Sequence, residues 1–69
     1  MKNGITCRAV RGGEGFYRIQ QGYLTRFHLR QNRLSKKKAD RIAEILNQGR
    51  SIHAAVAAVG GGVEVKIIK

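Results

Sequence analysis

Acidic residues are scarce in this sequence of 69 residues: Asp and Glu number 4, against 14 Lys and Arg, so the formal net charge is +10. A compact domain with this much unbalanced charge repels itself unless an anion neutralises it. Most of the excess lies in residues 1–34, where Glu14 is the single acid. Because polyphosphate is the commonest such anion, the charge predicts a nucleic-acid partner.

Cysteine is nearly absent too. A single residue, Cys7, excludes an intrachain disulfide framework and favours a reducing, cytoplasmic compartment. The first residues contain no apolar signal segment, and the weakly polar stretch 54–63 is too short to cross a bilayer. We therefore expect one small basic domain over residues 1–69 and no membrane contact. A core of this size is compatible with a homodimer or a stable complex.

Side chains suited to catalysis or metal binding are few. Cys7, His28 and His53 are the soft ligands, and their spacing is not that of a metal site. The four acids form no paired arrangement for acid–base chemistry. The sequence therefore predicts no enzymatic activity, no catalytic residue, no metal and no cofactor.

Three β-rich runs separated by glycine-containing turns indicate an antiparallel meander. The predicted strands are 5–10, 16–20 and 23–30, with turns at 11–15 and 21–22. Alternation collects an uncharged set on one side, and Arg8, Arg18, Arg26, His28 and Arg30 fall on the other. The uncharged set is Ile5, Cys7, Ala9, Tyr17, Ile19, Phe27 and Leu29.

Helical spacing follows the meander. Ser35 is the predicted N-cap of a helix, with Leu34 as a hydrophobic staple. The helix has an apolar stripe over 39–46 and is predicted to end at Gly49. Ser51 is the predicted cap of a shorter helix over 52–59, although a hairpin across Gly60–Gly62 is the competing interpretation. Residues 63–68 alternate again as a strand.

The expected fold class is therefore α+β. It consists of a three-stranded antiparallel meander with one long and one short helix on its apolar face, and a C-terminal strand that joins the sheet. The face that carries the arginines is left for solvent or for a ligand.

The candidate nucleic-acid-binding residues are the arginines of the meander and the lysines at the helix start. Guanidinium groups donate in a planar fork that suits phosphates and guanine edges, and free amides at a helix start suit an anion. The alternative interpretation is a solvated, charged surface without a ligand. The candidates are Arg8, Arg11, Arg18, Arg26, His28, Arg30, Arg33, Lys36, Lys37 and Lys38. Phe16 falls on the arginine side by parity and is either a base-stacking residue or a cover for the sheet edge.

The first hypothesis is a small, non-enzymatic nucleic-acid-binding protein, with DNA favoured over RNA. A three-stranded sheet followed by a helix is similar to the arm-binding domains of tyrosine recombinases, and that similarity implies that DNA is read through the sheet. None of the sequence motifs of those domains is present.

The second hypothesis is an inhibitor or accessory protein that binds an acidic protein or a ribonucleoprotein. In size and build the chain is similar to phage-encoded accessory proteins, anti-CRISPR proteins among them.

Overall fold

The computed structural model describes residues 6–68, and these form four strands and two helices. The predicted α+β class is confirmed. The predicted start of the first strand at Ile5 lies outside the described residues. In chain order the elements are β1 (Cys7–Gly13), β2 (Phe16–Gln21), β3 (Leu24–Arg30), α1 (Lys36–Asn47), α2 (Ile52–Ala58) and β4 (Glu64–Ile67).

The strands form one antiparallel sheet in the order β1-β2-β3-β4, so each strand pairs with its neighbour in the chain. The first turn is tighter than expected, because β1 continues to Gly13 and only Glu14 and Gly15 remain outside the strands. Gly15 has φ +70°, and an added Cβ would lie 2.7 Å from the carbonyl oxygen of Gln31. Glycine is therefore required there both by conformation and by space.

An irregularity in β3 changes the direction of one arginine. Ile19 pairs with Phe27, but the next residue of β2, Gln20, pairs with Thr25, which leaves Arg26 as an extra residue. An inserted residue of this kind is a β-bulge, and it re-aims the side chains around it. Simple alternation, which placed Arg26 on the arginine side, fails at this point.

Both helices begin at serine caps. The hydroxyl of Ser35 accepts from the amide of Lys38 at 3.2 Å, and that of Ser51 accepts from the amide of Ala54 at 3.1 Å. Gly49, with φ +89°, follows the end of α1. Residues 52–58 are helical, so the structure has the short helix and not the competing hairpin.

The core lies between α1, α2 and one side of the sheet. We call this side the inner face; it is formed by Cys7, Ala9, Tyr17, Ile19, Phe27, Leu29 and Val65. The fully buried large side chains are Ile19, Leu29, Ile42 and Ile45. Leu34 and Ala39, the positions of a hydrophobic staple, are both buried in this core. The inner face is therefore committed to packing.

Asn47, the last residue of α1, ties the helix to the edge strand β1. Its side chain accepts from the amide of Cys7 at 2.7 Å and donates to the carbonyl oxygen of Cys7 at 2.9 Å. The amide side chain thus replaces a neighbouring strand for one residue of the edge, which satisfies both backbone groups.

Neither α1 nor α2 is long and apolar enough to cross a membrane, and they are the helices of residues 6–68.

Candidate nucleic-acid interface

The opposite side of the sheet, which we call the outer face, has a different composition. Strand register places its members in cross-strand rows, and the row through the middle runs Val10, Arg18, His28, Lys66 from β1 to β4. None of the members is buried. The outer face consists of Arg8, Val10, Phe16, Arg18, Gln20, Thr25, His28, Arg30, Glu64 and Lys66.

The cations of this face are Arg8, Arg18, Arg30 and Lys66, against one acid, Glu64. Within residues 6–68 the ion pairs lie on α1, between Lys36 and Asp40 and between Arg41 and Glu44. The positive charge of the outer face is therefore not cancelled by ion pairing among the described residues. Such a surface attracts polyanions over a range set by the salt concentration.

Arg18 occupies the centre of the outer face, between Val10 and His28. Its Nε is buried and has no hydrogen-bond partner among the described residues. A buried donor without a partner costs about 1–3 kcal/mol. Arg8, two residue pairs along the β1–β2 ladder, donates to the side chain of Gln20 at 3.3 Å. The central arginine is thus the less satisfied of the two.

Phe16 lies at one end of the outer face and organises two charged or titratable neighbours. Its ring meets the imidazole of His28 edge-on, with centroids 5.2 Å apart and planes at 76°. The guanidinium carbon of Arg30 lies 5.6 Å from the centroid of the same ring. These are distances at which aromatic pairs and cation–π contacts stabilise their partners.

Arg26, by contrast, has left the arginine side. Its guanidinium donates to Oε1 of Gln21, lies 5.9 Å from the centroid of Phe27, and lines a depression together with Cys7. All three belong to the inner side of the sheet. Burial raises the pKa of the Cys7 thiol, and the nearby charge of Arg26 opposes that rise. The prediction that Arg26 joins the outer row is therefore wrong.

The predicted lysine site lies on another surface. Lys37 and Lys38 line a shallow depression with Ala58 and Val59 on the helical side of the molecule. Lys36 pairs with Asp40 at 2.8 Å, and this hydrogen bond, followed by the charge of Asp40, raises the pKa of Lys36. The lysine run and the outer face are therefore two separate basic surfaces.

Arg11 and Arg33 complete the set of predicted site residues. Arg11 pairs with Tyr17, so its position belongs to the inner side of the sheet, beyond the packed core. Arg33 lies between β3 and α1 with φ +66° and lines a depression with Glu14 and Arg30. The structure thus brings together Arg8, Arg18, His28 and Arg30 on the outer face and places Arg33 next to Arg30 beyond the end of β3. It separates the other five candidates, Arg11, Arg26, Lys36, Lys37 and Lys38, from them.

Lys66 was not among the predicted site residues, although it belongs to the outer face. The alternation of the last strand places Lys66 and Glu64 on the side opposite Val65, which is visible in the sequence. What the sequence does not show is that β4 pairs with β3, with Lys66 opposite His28 and Glu64 opposite Arg30. That pairing completes the basic row.

In the described part of the chain, no group of three or more His, Cys, Asp or Glu side chains is placed to hold a metal ion.

Comparison with known proteins gave no match: no family model, no curated protein and no solved structure matches the chain.

Proposed function

We propose that this protein is a small, non-enzymatic nucleic-acid-binding protein that holds its ligand on the outer face, with DNA preferred to RNA. The supporting observation is that four cations without ion-pair partners among residues 6–68 project from the sheet side opposite the helices. A polyphosphate neutralises that charge and removes its self-repulsion. Arginine forks bind phosphate oxygens in pairs, and Lys66 adds a point charge.

Salt dependence is the first test. Fluorescence anisotropy is measured with labelled duplex DNA, single-stranded DNA and duplex RNA, using protein freed of nucleic acid by nuclease, across a series of NaCl concentrations. We expect affinity to fall steeply with salt, because each neutralised phosphate contributes about 0.9 to the log–log slope on duplex DNA and about 0.7 on single strands. Higher affinity for DNA than for RNA is the expected order.

The variant that tests the surface replaces Arg8, Arg18 and Arg30 with glutamine. Its matched control replaces Lys37, Lys38 and Arg50 with glutamine, which also removes three positive charges, but from outside the outer face. We expect the outer-face variant to reduce the salt slope by about 2–3 and the control to change it by less than about 1. Equal losses in the two variants, or no binding by the wild type at low salt, would contradict the proposal.

A protein or ribonucleoprotein partner is the second candidate, in the manner of a phage accessory protein or inhibitor. One observation favours it: the helical side has a depression of about 740 Å³ in which the apolar Ala58 and Val59 are flanked by charged side chains of both signs, Lys37, Lys38, Arg41, Asp40 and Glu44. An apolar patch with charged groups around it suits a protein surface of complementary charge pattern. This candidate takes first place if the three nucleic-acid probes bind weakly and equally and the protein instead forms a stoichiometric complex with a protein after nuclease treatment.

A further inference from the structure

The end of the outer face between β2, β3 and β4 has the shape and chemistry of a small binding site. A depression of about 600 Å³ is lined by Phe16, His28, Arg30, Glu64, Val65 and Lys66. It combines an aromatic ring, two cations and the one carboxylate of this face. The middle of the outer face has charge without this combination.

The ring of Phe16 packs against the backbone at Gly12. A Cβ added to Gly12 would lie 2.5 Å from two carbons of the Phe16 ring, so the ring lies directly against the backbone of β1. From the other neighbours, the imidazole of His28 contacts it edge-on and Arg30 lies near its face. The ring is therefore partly exposed and lies among Gly12, His28 and Arg30, on the side of the sheet opposite the helices.

The width of the sheet argues against a duplex as the preferred ligand. Three spacings between four strands extend over about 14 Å of backbone before side chains are counted, whereas the major groove of B-DNA is about 12 Å wide. The fourth strand, β4, widens the three-stranded meander, and it adds Glu64 and Lys66 to the outer face. A flexible single strand can lie across such a face, with its bases turned toward the protein.

We propose that the Phe16 depression binds an unpaired nucleobase of single-stranded nucleic acid, with preference for a base that carries an exocyclic amino group. This rests on the proposed nucleic-acid-binding function and specifies its ligand. The base stacks on the ring of Phe16, since every base offers a π face, and it takes the place of the Arg30 guanidinium, which moves to a flanking phosphate. Glu64 accepts a hydrogen bond from the amino group, as carboxylates do with cytosine, while Arg30 and Lys66 bind the flanking phosphates.

The stacking part is tested by anisotropy with short oligo-dC, oligo-dT and duplex DNA probes. Phe16→Leu keeps an apolar side chain but removes the π face, and Tyr23→Leu is the matched control because Tyr23 is a fully exposed aromatic at the β2–β3 turn, outside the strands. We expect wild type to prefer the single strands, Phe16→Leu to lose about tenfold in single-strand affinity, and Tyr23→Leu to lose less than about twofold.

A second variant keeps Phe16 and moves its ring. Gly12→Ala places a methyl group where the ring lies, so the ring must shift, and the single-strand affinity should fall in the same direction as in Phe16→Leu. Circular dichroism of each variant checks that the fold is retained. If neither variant lowers single-strand affinity more than Tyr23→Leu does, the stacking site is overturned.

The base preference is tested at Glu64. Glu64→Ala removes the acceptor and a negative charge, so affinity for oligo-dT should stay equal or rise while the preference for oligo-dC over oligo-dT disappears. A wild type without that preference, or a preference unchanged in Glu64→Ala, overturns this part. If the Arg8, Arg18 and Arg30 variant loses binding but the Phe16 and Glu64 variants behave as wild type, the proposed function stands and this inference fails. If wild type binds no probe, both fail.

Discussion

The two faces of one sheet differ in burial and in charge, although they are built from the same strands. On β2, Ile19 is 0% exposed and Tyr17 6%, while Arg18 and Gln20 between and beside them are half-buried on the other side. The inner face gains its free energy from apolar burial against α1 and α2. The outer face gathers cations that repel one another. One face therefore stabilises the fold, and the other is available for a ligand.

The largest effect is expected from breaking the inner face. Ile19→Ala removes a fully buried side chain and should lower the free energy of unfolding by about 2–5 kcal/mol, measured by denaturant titration. Gln20→Ala, the next residue and on the outer face, loses only the hydrogen bond from Arg8 and should lower it by no more than about 1 kcal/mol. Should Ile19→Ala fail to fold, Ile19→Val is the milder probe, with an expected loss of about 0.5–1.5 kcal/mol. Similar losses at both positions would contradict the assignment of the faces.

A smaller effect concerns the repulsion within the outer face. Because screening weakens like-charge repulsion, we expect NaCl to raise the free energy of unfolding of the wild type, by up to about 1 kcal/mol. The double variant Arg8→Gln, Lys66→Gln should be more stable at low salt and respond less to salt. Lys36→Gln is the control, since Lys36 already pairs with Asp40 and its loss should bring no such gain. A double variant less stable than wild type at low salt would show that these cations do not repel.

The smallest effect tests which side Arg26 occupies. The pKa of the Cys7 thiol is raised by burial, and the charge of Arg26 partly opposes this. Loss of the charge in Arg26→Gln should therefore raise the pKa of Cys7 further, so the midpoint of thiol alkylation against pH should move to higher pH. Arg26→Lys keeps the charge and should move it less. The midpoint is used because it reports thiolate formation and is less affected by access than the rate itself. An unchanged midpoint in Arg26→Gln would put Arg26 away from Cys7.

Much of the local structure was predictable because its causes are local. Ser35 and Ser51 lie three positions before the amides they cap, and Gly49 adopts a positive φ just after the end of α1. Alternation on β2 was also readable, since successive side chains of a strand point to opposite sides. These features depend on neighbours in the chain, which the sequence shows directly.

By itself, therefore, the sequence determined the α+β class, the excess of positive charge and the alternation that puts Arg8, Arg18, His28 and Arg30 on one side. Tertiary structure alone decided that a bulge turns Arg26 to the inner side and that α1 carries the lysine run to a separate surface. It also decided that β4 pairs with β3, which places Lys66 and Glu64 in the same depression as Phe16. The physical reason is that strand register and helix packing are fixed by contacts between distant segments, whose relative free energies no short stretch of sequence contains.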